Sequence, residues 1–475
     1  MLVLHNIKFK NSLKNSSIIL FLLITFLSSC SKTDDVIVDD YSDLPNLNER
    51  LFSGGETTVF LTSSNSFSTP STNMFGLDLD NHLAGDPEFE AAFVSAPSLI
   101  NQGVGPIFSN NSCISCHAKD GRSAFPNNLN SFSGFLVRTS IPGTNANGGP
   151  KSVPGFGTQI QNQAIFGYQP EAKIQVSFSN LQETFADGTQ VTLKKPVYSF
   201  FNTYIPMPAD AMFSPRLATP VFGLGLLEAI SDSDLLLNQD INDTNNDGIS
   251  GKANYVFDLI SGMPKIGKFG WKANTATIKE QCAAAYNNDM GITNYILSQE
   301  TGYGQTNGSD GLGDDPELDN DVLDKIIVYC QTLGVPASRN FNNVNVRKGA
   351  KIFDEIQCAS CHIPKQKSGF SAIASNSNQI FFPYSDLLLH DMGSELADNR
   401  PDYLASGTEW KTRPLWGIGL TQVVNGHTNF LHDGRAKNVE EAILWHGGEA
   451  LKAKNKYKQL PVEKRNQLLE FINSL

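Results

Sequence analysis

Cysteine is scarce in this chain. Seven of its 475 residues are cysteine, four are tryptophan and seven are methionine. That excludes a small scaffold held by many disulfides, which would be short and dense in cysteine. Base is also in short supply: 36 lysines and arginines face 48 aspartates and glutamates, for a formal net charge of −12. A chain of that sign lacks the electrostatic footprint for nucleic acid or for an anionic membrane surface, and suits a basic partner better. Long apolar runs are nearly missing. The one conspicuous run, "IILFLLITFL" at residues 18–27, is too short to span a bilayer as a stable helix. Apolar residues make up 40% and charged residues 18%, which is ordinary for a globular protein long enough for two or three domains.

The N-terminus reads as an export signal. Lys8, Lys10 and Lys14 precede the apolar run and "SSC" follows it, which predicts a signal peptide over residues 1–29. The string "LSSC" looks like a lipobox, with Cys30 as the lipidated first residue of the mature chain; the alternative is a plain signal with an incidental cysteine. Residues 30–49 are polar and acidic and read as a flexible tether. The expected location is the periplasm or cell envelope, lipid-anchored to a bacterial membrane, the outer one, with the lipid as the sole membrane contact.

Four of the seven cysteines form two motifs. Cys113, Cys116 and His117 make one C-x-x-C-H; Cys358, Cys361 and His362 make the other. This is the attachment signal for haem c. Each thiol adds to a porphyrin vinyl group, and the adjacent imidazole turns to the iron. A pair of thioredoxin-like redox motifs would need a βαβ context that the flanks lack. A four-cysteine zinc site would leave both histidines unexplained. Two covalently bound haems are therefore expected, with His117 and His362 as iron ligands.

The repeat extends past the motifs. "IFSNNSCISCH" (107–117) matches "IFDEIQCASCH" (352–362), and "PVFGLGL" (220–226) matches "PLWGIGL" (414–420). An ordered pair of strings occurring twice implies two domains of common plan. Residues 50–334 and 335–475 are the expected cytochrome c-like haem domains, and the expected fold class is mainly α. Residues 133–205 stand apart: "AKIQVSFSNLQETFADGTQVTLKKPVYSFF" alternates apolar and polar residues around Asp187-Gly188, predicting a β-rich insertion in the first domain. Helices are expected near "ATIKEQCAAAYNN", "DNDVLDKIIVYCQTLGVP" and the C-terminal "LPVEKRNQLLEFINSL". Cys282 and Cys330 fall in helical patterns and read as core thiols, with a disulfide between them as the alternative.

The stretch 240–254 contains D-x-N-x-D-G. Asp243, Asn245, Asp247 and the Ile249 carbonyl are spaced to wrap Ca²⁺, although the twelfth position is Asn254 rather than Glu. An Asx-rich turn without metal is the alternative. The Gly- and Asp-rich stretch 301–319 reads as a surface loop.

"LLLHDMGSELAD", "EWKTRPLWGIG" and "FLHDGRAKNVEEAILWHGGEA" resemble the C-terminal domain of bacterial di-haem cytochrome c peroxidases. From about residue 50 to the end, the chain is more closely similar to the di-haem oxidoreductases of the peroxidase type, thiol oxidoreductase-like. In that superfamily the residue fourteen positions after the HDG histidine ligates the second iron; here the histidine is His432 and that residue is His446. The resemblance thus implies a His362–iron–His446 haem, with His390 and His432 in structural or pocket roles. It matches Trp271 and Met290 to the string "FWDGRA…LEEQA…EMG" and puts Lys279 where peroxidases carry a proton-moving Glu. An ammonium is a poor base near neutral pH, so Glu228 and Glu280 are alternative catalytic candidates. For the first haem the sixth ligand is left open among His82, Met207, Met212 or none. Related peroxidases hold Ca²⁺ between their haems, which implies a domain-linking role for the 240–254 loop.

The expected function is electron transfer from a small donor protein or cytochrome through the second haem to the first, where hydrogen peroxide or another oxidant is reduced. Trp271 or Trp416 is expected between the haems. The alternatives are a non-catalytic electron relay and a haem reductase component of iron acquisition.

Overall fold

Helix boundaries follow the capping residues in the sequence. Thr277 stands extended before the Ile278–Met290 helix, and its hydroxyl accepts the Glu280 N–H at 3.2 Å. The helix ends at Gly291, φ 74°, where the N–H groups of Gly291 and Ile292 return to the carbonyls of Asn287 and Tyr286. A Cβ at Gly291 would lie 2.8 Å from the Gly105 carbonyl oxygen, so glycine serves both the left-handed turn and the close approach. The Asn320–Thr332 helix buries Leu323, Ile326, Ile327, Tyr329 and Cys330, one apolar stripe at helical spacing. It packs on the Leu77–Glu90 and Ile278–Met290 helices. Their shared core includes Phe89, Phe222, Leu226, Tyr286 and Trp416.

The computed structural model describes residues 47–475. The expected signal over 1–29, the lipidated Cys30 and most of the 30–49 tether lie outside the described residues. Residues 47–475 lie in one compact unit. Thr58–Val59 pairs in parallel with Val335–Pro336, so chain from the start of the unit is tied to the junction between the two expected haem domains.

The fold is not mainly α. The chain is 28% helical and 19% strand, with several small sheets. Part of the strand lies within 133–205. Phe135–Thr144 pairs antiparallel with Met212–Leu217, and Lys173–Thr184 pairs with Gln190–Phe201 along their whole length. The turn between the last two carries Gly188 at φ 85°. Further strand is scattered in short ladders, such as Tyr255–Asp258 with Met263–Ile266 and Leu389–Asp391 with Glu409–Lys411. Ladders this short lie inside loops and carry too few residues to register as alternation; a mainly-α expectation overlooks them.

The long hairpin reaches the C-terminal helices. Ala186 N donates to the Lys458 carbonyl at 3.0 Å, Arg465 pairs with Asp187 at 2.7 Å, and Lys454 and Lys458 both pair with Glu183. The Val462–Ser474 helix in turn packs on Val344–Glu355, the helix that leads into the second C-x-x-C-H.

That last contact depends on Gly349. A Cβ there would sit 2.0 Å from the Gln467 carbonyl oxygen, a backbone atom that cannot step aside. Gly349→Ala is expected to destabilise the protein by about 1–3 kcal/mol, as overpacking does; a thermal or denaturant unfolding curve checks it, and wild-type stability would mean the two helices separate freely.

Candidate haem sites

The first C-x-x-C-H opens a helical turn, Cys113–Cys116, capped by Ser112, whose hydroxyl accepts the Ser115 N–H at 3.3 Å. His117 N donates back to the Cys113 carbonyl at 2.8 Å. Its ring Nδ1 lies 2.6 Å from the Thr219 carbonyl oxygen. A carbonyl only accepts, so Nδ1 carries the proton and Nε2 is left bare. The second motif repeats the arrangement: His362 N donates to Cys358 O at 3.0 Å, and His362 Nδ1 donates to Tyr384 O at 2.9 Å. Such bonds fix the tautomer and aim of a metal-ligating imidazole. Burial pushes His117 below its usual value and His362 down to about 4, so both rings are neutral, the state that ligates metal.

Each motif borders its own cavity. The first cavity has a volume of about 210 Å³ and the second about 240 Å³, both partly open to solvent. The two cysteine pairs therefore do not meet in a four-thiolate site. All four thiols are free. Burial pushes Cys116 and Cys358 up to about 12, and Cys113 and Cys361 upward as well.

His446 presents the same chemistry. It follows the Val439–Trp445 helix, and its Nδ1 donates to the Ala442 carbonyl at 2.6 Å. Nε2 is again bare, and the ring borders the second cavity with His362. The other histidines are differently placed. His390 is held between Asp386 at 2.8 Å and Glu449 at 2.7 Å; burial opposes its charge, yet the two carboxylates raise it well above its usual value. Both its ring nitrogens are occupied. His432 borders the second cavity and stacks on Trp410, centroids 4.0 Å apart. His427 Nε2 lies 3.0 Å from the Arg122 carbonyl. His82 bonds Thr332 at 2.8 Å and packs on Tyr329.

None of His82, Met207 and Met212 borders the first cavity, whereas Met290 does. The three sequence-derived catalytic candidates also lie off that wall. Glu228 accepts from Ile278 N at 2.7 Å and from Gln331 at 2.6 Å. Lys279 lies over the Tyr295 ring at 5.1 Å. Glu280 is buried beside Asp258, and burial with that neighbour raises it to about 7. The acidic side chain that does border the cavity is Asp289. Burial pushes its carboxyl up, while Arg138 and a 2.9 Å bond from Gln159 pull it back. Sequence reasoning passed over it; the signal was its place beside Met290 in "NNDMG". Cys282 and Cys330 both border the first cavity as free, neighbouring thiols.

One wall serves both cavities. Pro220, Trp271, Lys411, Arg413, Pro414 and Trp416 border each of them. Trp271 Nε1 donates to Leu217 O at 2.8 Å, with Arg122 and Arg413 over its ring at 5.3 and 5.0 Å. Arg122, Lys411 and Arg413 make no ion pair among the described residues. Burial lowers Arg122 to about 9 and Arg413 to about 10, and Lys411 well below its usual value. Buried cations without counter-charge cost several kcal/mol each. Haem carries two propionate carboxylates, so the donor set, the bare imidazoles and the unpaired cations together fit two porphyrins attached by thioethers.

In the 240–254 loop, Asp243 accepts from Gly248 N at 3.1 Å, Asn245 from Asp247 N at 2.9 Å and Asp247 from Ile249 N at 2.9 Å. Asp247 and Ile249 border the second cavity.

These features fit a protein that holds two haems. The chain belongs to the di-haem oxidoreductase family: the family described as "Di-haem oxidoreductase, putative peroxidase" matches residues 48–475. It is thus a haem-based oxidoreductase. No curated protein matches the chain. Among solved structures, a chain of Kuenenia stuttgartiensis hydrazine synthase pressurized with xenon is similar at 17% identity over 33% of this chain and 56% of that chain, with a TM-score of 0.22. So low a TM-score carries no structural argument.

Replacing His446 with Ala is expected to turn the second haem from low-spin to high-spin in visible and EPR spectra of the oxidised protein. Electrospray mass should still show two porphyrins. An unchanged spectrum removes His446 as a ligand.

Proposed function

We propose that this is an exported di-haem oxidoreductase that receives electrons from a small donor protein or cytochrome at the 358–362 site and delivers them to an oxidant of the peroxide class at the 113–117 site. Haem, when bound, supplies the electron store at both sites and an iron able to bind an oxidant. The observation that carries the reading is the wall common to the two cavities, in which Trp271 and Trp416 stand in contact with both. Groups held on either side of one layer of packed side chains exchange electrons without a diffusing carrier.

The chain's own residues have separable tasks. Cys113, Cys116, Cys358 and Cys361 hold the porphyrins. His117 and His362, aimed by carbonyl bonds, would each ligate an iron, and His446, which lines the same cavity as His362, would supply a second ligand at that site. Arg122, Lys411 and Arg413 neutralise the propionates. Asp289 holds a proton at the first site, in the role that the sequence sought at Glu228, Lys279 or Glu280. Asp243, Asn245, Asp247 and the Ile249 carbonyl bind Ca²⁺; the loop's contact with the second cavity supports a part in bracing the haem sites. The signal at 1–29 and lipidation of Cys30 anchor the protein in the cell envelope. No helix of the described residues is long and apolar enough to cross a membrane.

Asp289 also sets the expected pH dependence. A carboxyl raised by burial keeps its proton to higher pH than an ordinary one. Peroxide consumption that needs that proton runs at low pH and is lost as pH rises through the raised value. Asp289→Asn is expected to lower peroxide consumption by about 10²–10⁴-fold and to remove that alkaline limb, with the haem spectrum unchanged. The assay is peroxide consumption by the haem-loaded protein with a reduced small cytochrome. A wild-type protein whose haems ignore both peroxide and carbon monoxide would instead be an electron relay.

A further inference from the structure

The first cavity is bordered by more base than acid. Arg138, Arg216, Lys411 and Arg413 border it, against Asp289 as the one acid. Lys411 and Arg413 belong to the wall shared with the second cavity. Arg216 is occupied: it pairs with Asp402 at 3.1 Å and donates from Nε to Ser214 Oγ at 3.0 Å. Arg138 is left over. It borders the first cavity and not the second. Its side chain has no hydrogen bond or ion pair among the described residues.

Strand register shows why Arg138 meets the cavity. It lies on the Phe135–Thr144 strand, directly opposite Gln159 on one side and Ser214 on the other. Residues paired in this way project from the same face of a sheet. Leu136 and its partner Arg216 share that face and border the cavity too. Gln159 Nε2 donates to Asp289 Oδ1 at 2.9 Å and to the Asn288 carbonyl at 3.0 Å. Arg138 and the Asp289 carboxyl are thus both neighbours of one glutamine. The same corner reaches the attachment motif: Asn110 N donates to the Asp289 carbonyl at 2.9 Å, and Asn110 Nδ2 donates to Cys116 Sγ at 3.2 Å. Vinyl and propionate groups lie on opposite edges of a porphyrin, so a thioether at Cys116 directs the propionates away from Arg138.

A guanidinium holds its charge throughout the physiological range. Inside a protein such a charge is costly until an anion reaches it. We propose that Arg138 is the anion-binding residue of the first cavity, and that the site takes a small inorganic anion against its guanidinium. This rests on the reading of the 113–117 site as the place where an oxidant enters, and it adds a selection rule: a charged ligand is held in preference to a neutral one of similar size. The fixed fork of N–H groups on arginine suits that task, since charge-assisted hydrogen bonds are about twice as strong as neutral ones. The β-rich insertion then contributes to ligand choice as well as to the frame.

Fluoride and carbon monoxide separate charge from access. Fluoride is an anion, read from the visible spectrum of the oxidised protein; carbon monoxide is neutral, read from the reduced protein. In the haem-loaded full chain, Arg138→Met is expected to weaken fluoride binding about tenfold to a hundredfold and to leave carbon monoxide affinity unchanged. Arg138→Lys, which keeps the charge and loses the fork, should recover part of the difference. Arg138→Gln decides the matter in the same way should Arg138→Met fail to fold. The inference is overturned if the wild type binds no fluoride, if the neutral variants bind it as the wild type does, or if fluoride and carbon monoxide affinities fall together. Peroxide consumption is a separate measurement: a protein that ignored peroxide yet lost fluoride binding with Arg138 would refute the peroxide reading and leave the anion site standing.

Discussion

Arg122, Lys411 and Arg413 form a buried positive cluster that the polypeptide alone does not neutralise. That imbalance constrains the rest of the structure. Charged groups of this kind are costly in a folded interior unless an anion reaches them or they give up their proton. They stand beside Trp271, on or next to the wall shared by the two cavities. The fold is therefore electrically complete only with its cofactors, and folding and haem insertion are linked in the same way that ligand binding stabilises any native state.

The wall itself is the second copy of a repeat packed on the first. Gly223 and Gly417, both left-handed, each begin a short helical segment after the repeated proline. A Cβ on Gly223 would meet the Trp416 ring at 2.6 Å, and one on Gly417 would meet the Phe222 ring at 2.6 Å. Each glycine thus makes room for the aromatic residue of the other copy. The carbonyl that aims His117 belongs to Thr219, the residue just before the first copy. Thr219 and the string that follows it thus do two jobs: they orient the His117 ring and build the partition between the two cavities.

What the sequence disclosed, and what it hid, follows from the range of each interaction. The C-x-x-C-H motifs are local, and so is the Asp187-Gly188 turn that sets the register of the long hairpin. Both could be read from adjacent residues. Two- and three-residue ladders such as Leu389–Asp391 with Glu409–Lys411 join distant stretches, and even the local Tyr255–Asp258 hairpin is too short to show as alternation; their absence from the reading turned a mixed fold into a mainly-α expectation. The acid of the first cavity was missed for a related reason. Lys279 was singled out by its place along a string, but it lies one helix face away, over Tyr295. Asp289, ten residues on, is the one turned to the cavity. Spacing along a helix fixes the angle between two side chains; only packing decides which of those directions meets the cavity. His446 was reached through its distance from the HDG stretch, and its bond to Ala442 O gives the ring the same bare Nε2 as the two motif histidines.

Net charge hides the pattern that matters. A chain at −12 would be expected to carry its acid on the surface and to leave little base inside. Instead, unneutralised base is concentrated at the wall between the haem cavities, and unneutralised acid is concentrated beneath the 301–319 loop around Glu300. The first of these is costly for the polypeptide by itself and becomes favourable when the propionates of a haem reach it. The Ile278–Met290 helix lies along the first cavity for its whole length and presents Asp289 to it from its last turn, so the one acid on that cavity sits on the same element as Ile278, Cys282 and Tyr286, whose packing fixes its direction.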